Sequence, residues 1–249
     1  MKRYLESKLT ALLQRVIRRL APKAVPVILD SYYDIYSPVW HPHHQMRKQA
    51  LAESVDYIKS NMPQALIRND DFQVISYAVE QATVDGLYLE FGVRTGTTIK
   101  IIAERRPQQT IFGFDSFEGL PENWSGWAMS KGAFTMAKLP EVPPSVELIK
   151  GWFEQSLPGF LQAHEGPVAF VHIDSDLYSS AKTILDNLAS RIRPGTIIVF
   201  NEYFNYPNWQ EHEYKAFQEF CRAHVVSYEY ICWGHFAVAL RIEAIAFDK

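Results

Sequence analysis

From residue 87 onward, short apolar runs alternate with longer segments in which apolar residues recur at helical spacing. The short runs are typical of buried strands and the longer segments of amphipathic helices. This alternation predicts an α/β fold whose mostly parallel sheet is covered by helices on both faces. The predicted strands are 87–91, 110–115, 146–150, 168–173, 196–200, 225–232 and 235–242, and the predicted helices are 95–105, 153–163, 179–191 and 210–223. Because only Trp233 and Gly234 separate the last two strands, we expect a hairpin-like connection and an antiparallel edge strand.

The first 23 residues predict a basic amphipathic helix. They hold seven Lys or Arg against one acid, Glu6, whereas the rest of the chain holds 18 basic and 27 acidic residues. Such a helix docks on its own domain or on a second subunit of a homo-oligomer, or makes a peripheral contact with an anionic membrane. A disordered tail is the remaining alternative. Two further helices are predicted over 46–60 and 70–83, the second capped by Asn69 or Asp70. We therefore predict a helical N-terminal extension over 1–83 and a main domain over 84–249.

Two long segments are predicted to be loops. Residues 31–45 are aromatic, interrupted by proline, and contain His41, His43 and His44. Pro42 and the lack of nearby Cys or Glu argue against a metal site. We expect a surface loop, or a lid over a substrate pocket, instead. Residues 116–145 are rich in Pro, Gly and Trp, and loops of such length are usually functional or disordered. Their aromatic content favours the wall of a pocket.

Composition narrows the classes of function. A net charge of −3 gives no indication of a general nucleic-acid binder. Two cysteines are too few for a disulfide framework, so a reducing, cytoplasmic setting is expected. No apolar run approaches the roughly 20 residues that a transmembrane helix needs, and the basic N-terminus lacks the continuous apolar segment of a signal peptide.

The stretch from Leu87 to Thr98 predicts a buried strand, a glycine turn and the start of a helix. Glycines at such a turn allow a ligand to approach the backbone, and a helix N-terminus leaves N–H groups free. The spacing from Gly92 to Gly96 differs from the Gly-x-Gly-x-x-Gly pattern of nicotinamide dinucleotide sites. The acidic Glu90 suits a ligand that carries an amine or a sulfonium rather than a pyrophosphate. A tight α/β connection without a ligand remains the alternative.

Polar side chains follow the predicted strands at the edge of the sheet where doubly wound folds bind ligands. Asp115 ends the second strand, where a carboxylate can accept both hydroxyl protons of a ribose; a turn or helix cap is the alternative. Asp174 and Asp176 end the fourth strand, and Asn201-Glu202 end the fifth. These oxygen groups are suited to Mg²⁺ or to a general base. Asp176 is expected rather to cap the helix near Ser179, and His172 to be a packed strand residue.

Five motifs resemble those of the macrocin O-methyltransferase family, which are class I S-adenosylmethionine-dependent methyltransferases. They are Glu90-Phe91-Gly92-Val93-Arg94-Thr95-Gly96, Phe114-Asp115-Ser116-Phe117-Glu118-Gly119-Leu120-Pro121, Gly151-Trp152-Phe153, Val171-His172-Ile173-Asp174-Ser175-Asp176-Leu177-Tyr178, and Pro194-Gly195 followed by Asn201-Glu202-Tyr203. The resemblance covers about residues 85–242. It implies a seven-stranded Rossmann-like sheet with S-adenosylmethionine over the first two strand ends.

The resemblance also implies roles for particular residues. Glu90 and Gly92 would lie near the methionine end of the cofactor, Asp115 would hold the ribose, and Ser116 would lie near the adenine. The remaining residues assigned to cofactor binding are Thr95, Gly96, Gly151, Trp152, Phe153 and Asp174. Family members with a known metal site use the first Asp of the Asp-x-Asp-x-Tyr stretch and an Asp-Asp pair. Here the corresponding metal ligands are Asp174, Asn201 and Glu202, so the pair is replaced by Asn-Glu.

The function predicted from these observations is methyl transfer from S-adenosylmethionine to a hydroxyl of a small molecule such as a sugar or natural product. Asp174 is the expected proton acceptor or metal ligand, with Glu202 in support, and Mg²⁺ is the expected metal. The sequence does not distinguish saccharide, phenol and lipid-linked acceptors. Two alternatives are a Rossmann-type oxidoreductase, which the missing third glycine disfavours, and a non-catalytic S-adenosylmethionine-binding module.

Overall fold

The computed structural model describes residues 41–127 and 129–246, together with Ala21. Apart from Ala21, the predicted basic helix over 1–23 therefore lies outside the described residues, as does the first part of the predicted loop over 31–45. The chain divides into two compact units, Met1–Lys48 and Gln49–Lys249. The division at 83/84 expected from the sequence is a different one and stays a prediction.

The helices and strands of the described residues follow the predicted order, apart from a two-residue strand over Leu66–Ile67 that was not predicted. They are α1 (Pro42–Asn61), β1 (Leu66–Ile67), α2 (Asp71–Glu80), β2 (Leu87–Phe91), α3 (Thr97–Arg105), β3 (Ile111–Asp115), β4 (Val146–Lys150), α4 (Phe153–Ala163), β5 (Val168–Ile173), α5 (Tyr178–Leu188), β6 (Ile197–Phe200), α6 (Glu213–Ala223), β7 (Ser227–Trp233) and β8 (Val238–Ala244). Short 3₁₀ helices cover Ala189–Arg191 and Trp209–Glu211. The first five predicted strands agree with β2 to β6 within one residue at each end.

One eight-stranded sheet has the order β1-β7-β8-β6-β5-β2-β3-β4. Within the described part of the chain, β8 pairs antiparallel with both β6 and β7, and the other strand pairs are parallel. The predicted mostly parallel sheet is confirmed. The expected antiparallel edge strand is wrong in its position, because β8 folds back between β6 and β7. The two-residue β1, which pairs with β7, forms the edge instead.

Both faces of the central strands are buried, and this explains why β2, β5 and β6 are almost entirely apolar, with Glu90 and His172 as the exceptions. On one face, Leu157, Ile184 and Phe217 from α4, α5 and α6 belong to one apolar cluster. On the other face, α2 and α3 contribute to a second cluster that includes Ile75 and Ile102. The sheet is thus held between two helical layers, with its carboxyl edge left free for a ligand site.

Two local predictions in the N-terminal half have different outcomes. Asp70 caps α2 as expected, since its carboxylate accepts a hydrogen bond of 2.8 Å from the backbone N–H of Gln73. The predicted loop over 31–45 is wrong at its end, because α1 already begins at Pro42. Proline is well suited to the first helical position, where no N–H partner is needed. His43 and His44 therefore lie in the first turn of a helix.

The segment over 116–145 is irregular in its described residues, apart from an isolated β-bridge between Trp124 and Met129. The predicted loop is confirmed to that extent. In the same described ranges, no helix is both long enough and apolar enough to cross a lipid bilayer.

Candidate active site

Asp115 is fixed at the end of β3 by two backbone donors. Its Oδ2 accepts a bond of 2.7 Å from the N–H of Arg94, and its Oδ1 accepts one of 2.6 Å from the N–H of Phe117. Arg94 and Phe117 both have positive φ, 45° and 57°, which turns their amides toward the carboxylate. Each carboxylate oxygen keeps a second lone pair. Asp115 therefore faces the cleft as a rigid acceptor for two further hydroxyl protons.

Gly92 is needed for packing inside the protein. Its φ is 101°, and a Cβ at this position would lie 1.8 Å from the carbonyl oxygen of Asp174. The loops that follow β2 and β5 are therefore in contact, and Asp174 lies next to the glycine turn that begins at Gly92. Gly96 is also in the left-handed region, with φ 76°, where it forms the N-cap of α3.

Glu90 is fully buried and begins a chain of polar contacts across the sheet. Its carboxylate accepts a 2.8 Å bond from Thr98 Oγ1 and lies 3.3 Å from His172 Nδ1. His172 Nε2 lies 3.4 Å from Asn201 Oδ1, and Asn201 Nδ2 donates to Glu202 Oε1 at 2.8 Å. Burial lowers the pKa of His172, but the contacts with Glu90, Asp174 and Asn201 together outweigh burial, and the net shift of the pKa is upward. His172 is thus a packed strand residue that also connects Glu90 to the rim.

Three carboxyl groups meet at this rim. Ligand oxygens of Asp174, Asp176 and Glu202 all lie within 4.8 Å of one another, with Asp176 buried and the other two partly exposed. Burial raises the pKa of Asp174 to about 6 and raises those of Asp176 and Glu202 well above their ordinary range. Mutual repulsion of the negative charges acts in the same direction on Asp176 and Glu202. Glu202 Oε2 is buried and has no hydrogen-bond partner among the described residues. Protons or a cation must compensate this cluster.

These groups open into a cleft of about 480 Å³. Of the residues predicted for the site, those that line the cleft are Gly92, Asp115, Ser116, Trp152, Phe153, Asp174, Asn201 and Glu202. Glu90, Thr95, Gly96 and Gly151 are not among the lining residues, and Glu90 is covered by Thr98 and His172. The loop over 116–145 contributes Leu120, Trp124 and Phe134, which supports its expected role as a pocket wall.

Comparison with known proteins agrees with this geometry. A family model described as a methyltransferase domain matches residues 89–203, which include both Asp115 and the carboxyl rim. The chain therefore carries a methyltransferase domain over these residues. This match supports the predicted S-adenosylmethionine dependence and the predicted resemblance to O-methyltransferases of the macrocin type.

Individual relatives of this domain are methyltransferases by their names. The 8-demethyl-8-(2,3-dimethoxy-alpha-L-rhamnosyl)-tetracenomycin-C 4'-O-methyltransferase of Streptomyces olivaceus is 29% identical, over 52% of this chain and 58% of that protein. The match therefore spans less than two thirds of this relative. The O-methyltransferase NovP has a TM-score of 0.56 and 22% identity, covering 69% of this chain and 79% of its own. CalS11, a calicheamicin methyltransferase, has a TM-score of 0.56 and 21% identity, covering 80% and 93%. Both structures support the fold.

Two residues of the carboxyl rim were not predicted as site residues. Asp176 was expected to cap α5, but α5 begins at Tyr178 with Leu177 as its N-cap and no side-chain cap bond. With φ 63°, Asp176 instead joins the carboxyl cluster. Its place beside Asp174 in the sequence was a signal for that role. Glu213, in the first turn of α6, is fully buried and contacts the backbone of both rim loops. No local motif marked it.

The raised pKa values predict how the stability of the metal-free protein depends on pH. Asp174 ionises near 3.8 in the unfolded chain and near 6 in the folded protein, so ionisation favours unfolding as the pH rises through this window. Below this pH window Asp174 is protonated in both the folded and the unfolded protein. Above the window, the loss of folding stability stays constant. We expect the melting temperature in EDTA to fall by up to about several degrees between pH 4 and pH 7. The Asp174→Asn substitution should reduce that fall.

Thermal unfolding at a series of pH values measures this effect. Asp56→Asn is the matched control, because Asp56 is 81% exposed and forms only a 3.9 Å surface ion pair with Lys59. Its pH dependence should equal that of the wild type. An Asp174→Asn variant with an unchanged pH dependence would show that Asp174 is not held protonated by the fold.

Proposed function

We propose that the protein is an S-adenosylmethionine-dependent O-methyltransferase whose acceptor is a sugar hydroxyl on an otherwise apolar small molecule. The observation that carries the proposal is the presence of two different carboxyl sites in one cleft. Asp115 is rigid and bonded to backbone donors, whereas Asp174 belongs to a cluster of raised pKa. One site is suited to holding a ribose and the other to accepting a proton.

The cofactor side of the cleft fits the nucleoside of S-adenosylmethionine. Asp115 has acceptor positions left for a ribose diol, and Trp152 and Phe153 supply apolar surface next to it. Phe153 is itself held against Phe91, with ring centroids 5.3 Å apart at 86°. When bound, S-adenosylmethionine supplies a methyl group on a positively charged sulfur. The uncompensated carboxyl groups of the rim favour that charge at the neighbouring strand end.

Asp174 is the proposed general base. A carboxylate with a pKa of about 6 is largely ionised at neutral pH and is a stronger base than an ordinary aspartate. Its position beside the turn at Gly92 places it between the cofactor side and the acceptor side of the cleft. Asp174 accepts the proton of the acceptor hydroxyl as the oxygen takes the methyl group. Glu202 supports it by maintaining the negative character of the rim.

The rim residues also fit a divalent cation such as Mg²⁺. Hard oxygen ligands in close proximity, one of them the partnerless Oε2 of Glu202, are the donors that this ion prefers. We propose Asp174, Asp176 and Glu202 as the ligands. Asn201 was predicted as a ligand, but its Oδ1 faces His172 and its Nδ2 donates to Glu202, so we propose that it orients Glu202. A bound ion would lower the pKa of the acceptor hydroxyl.

The acceptor side of the cleft combines an apolar wall with a row of hydroxyl groups. Trp124 and Leu120 lie on the loop over 116–145, and Ser179, Ser180 and Thr183 line the cleft from α5. A sugar presents a C–H face that packs on an aromatic ring and a hydroxyl edge that hydrogen-bonds with serine and threonine. The names of the relatives, a rhamnosyl-tetracenomycin methyltransferase and a calicheamicin methyltransferase, agree with an acceptor of this kind.

Matched acceptors test this proposal. The full chain is incubated with S-adenosylmethionine carrying a trideuteromethyl group and with pairs of compounds that differ only in a sugar, such as a rhamnosylated aromatic polyketide and its aglycone. Mass spectrometry should find the label on a sugar oxygen of the glycoside and none on the aglycone. Label on a phenol of the aglycone would show that the acceptor is a phenol and not a sugar hydroxyl. Cofactor binding without transfer to any compound would favour a non-catalytic binding module.

Three further assignments stay proposals. We propose a cytoplasmic location, in line with two cysteines that form no disulfide. We propose that the basic residues 1–23 mediate contact with a second subunit, or with a membrane surface. We also propose that residues 1–83 act as an extension to a methyltransferase module over 84–249.

A further inference from the structure

We propose that Glu213 is a positioning residue that holds the two loops of the carboxyl rim together, a role that rests on the proposed function. Its Oε1 accepts a 3.1 Å bond from the backbone N–H of Ser175, in the loop after β5. Its Oε2 accepts a 3.1 Å bond from the backbone N–H of Glu202, in the loop after β6. One side chain from α6 therefore connects two strand ends that are far apart in the sequence.

The two bonded amides are placed so that they control all three rim carboxyl groups. Ser175 lies between Asp174 and Asp176, and Glu202 is itself the third member. A shift of either loop would change the distances among the three groups. When they are ionised, the side chains of the cluster repel one another. An anchor from outside the cluster counters this repulsion, and Glu213 contacts both loops in the described structure by hydrogen bonds to backbone N–H groups.

The carboxylate side chain of Glu213 is suited to this role. A carboxylate offers an acceptor oxygen to each of two N–H donors, whereas the amide of glutamine offers one oxygen and would place a donor against the other N–H. A fourth carboxyl group in this buried cluster opposes folding through desolvation and repulsion. Its position in the first turn of α6 partly offsets that cost, since the positive end of the helix dipole favours a negative charge.

The start of α6 is also connected to the acceptor side of the cleft. His212, the N-cap residue of α6, has its Nε2 3.0 Å from the carbonyl oxygen of Ser125 in the loop over 116–145. Ser125 follows Trp124, which lines the cleft. The first turn of α6 therefore contacts both the catalytic rim and the aromatic wall, and it fixes the geometry between them.

Amide hydrogen exchange of the metal-free protein in EDTA tests the anchor directly. In Glu213→Gln, exchange should be faster by at least about tenfold at one of the amides of Ser175 and Glu202, which loses its acceptor, and faster to a smaller extent at the other, which keeps only a neutral acceptor. Exchange within β5 and at the C-terminal half of α6 should stay as in the wild type. Glu211→Gln is the control, because its carboxylate is 63% exposed and pairs only with Lys215. Unchanged exchange at both amides, or equal acceleration throughout the domain, would overturn the proposal.

Turnover and cofactor affinity distinguish positioning from general stability. Glu213→Gln should lower kcat by about tenfold to a hundredfold through misplacement of the rim, while calorimetry finds the affinity for S-adenosylhomocysteine unchanged. An equal loss of kcat and of the affinity for S-adenosylhomocysteine would indicate a merely structural role. An unchanged kcat would reject a positioning role for Glu213. If Glu213→Gln does not fold, Glu213→Asp is used, which keeps the charge but is too short for both bonds; it should accelerate exchange at one or both amides. A wild type that transfers no methyl group would refute the proposed function, while the exchange result would still decide the anchor.

Discussion

Asp174→Asn is expected to reduce methyl transfer by about 10²–10⁴-fold, the range in which general bases contribute to catalysis. Asparagine keeps the shape of the side chain, but its amide neither accepts the proton of the hydroxyl nor contributes charge to the rim. Because Asp115 is held independently by Arg94 and Phe117, the affinity for S-adenosylhomocysteine should change little. Turnover is measured with the acceptor identified from the matched pairs, and affinity by calorimetry.

Comparison of Asp174→Asn with Glu202→Gln tests whether a metal ion is required. Asp186→Asn serves as the control, since Asp186 is a surface residue whose carboxylate bonds to Lys182 at 2.9 Å. It should leave turnover unchanged. Glu202→Gln should cost nearly as much as Asp174→Asn if an ion is required, and less if Asp174 acts alone. Wild-type activity that persists in EDTA would reject the metal, and an active Asp174→Asn enzyme would reject Asp174 as the base.

Asp115→Ala should weaken the binding of S-adenosylmethionine and S-adenosylhomocysteine by roughly tenfold to 150-fold, because a lost hydrogen bond to a charged group is worth about 1.5–3 kcal/mol. The substitution also frees the N–H groups of Arg94 and Phe117, which loosens the turn that carries Gly92. Both effects act in the same direction. Isothermal titration calorimetry measures the loss.

Glu118→Ala is the control for Asp115→Ala, because Glu118 lies in the same loop and its side chain is exposed. Its cofactor affinity should equal that of the wild type. If Asp115→Ala also bound the cofactor with wild-type affinity, the ribose would have to lie elsewhere in the cleft.

The sequence predicted the central sheet well because each of its strands carries its own local pattern. β2, β5 and β6 are buried on both faces, so that they are apolar except at Glu90 and His172, and polar residues or glycine follow their last residues. β1 was missed because two residues carry no periodic pattern, and it exists through its pairing with Cys232 and Trp233. The position of β8 depends on pairing across the sheet, which a local pattern does not encode.

The candidate site was predictable where chemistry follows a strand end. Asp115 and Asp174 each follow apolar residues directly, Glu202 follows one residue later after Asn201, and the structure brings all three to one cleft. Glu90 also fits that rule, but it occupies the last but one position of β2 and is covered by α3 and β5. Glu213 lies 38 residues from Ser175 along the chain, so its contact arises only from the packing of α6 against the rim.

A crystal structure of the protein with S-adenosylhomocysteine is the most direct test of the two-sided cleft. The account predicts that the ribose hydroxyls lie within hydrogen-bond distance of the Asp115 carboxylate and that the sulfur faces Asp174, with the wall formed by Trp124 beyond it. A ribose away from Asp115, or a sulfur directed away from Asp174, would contradict the account.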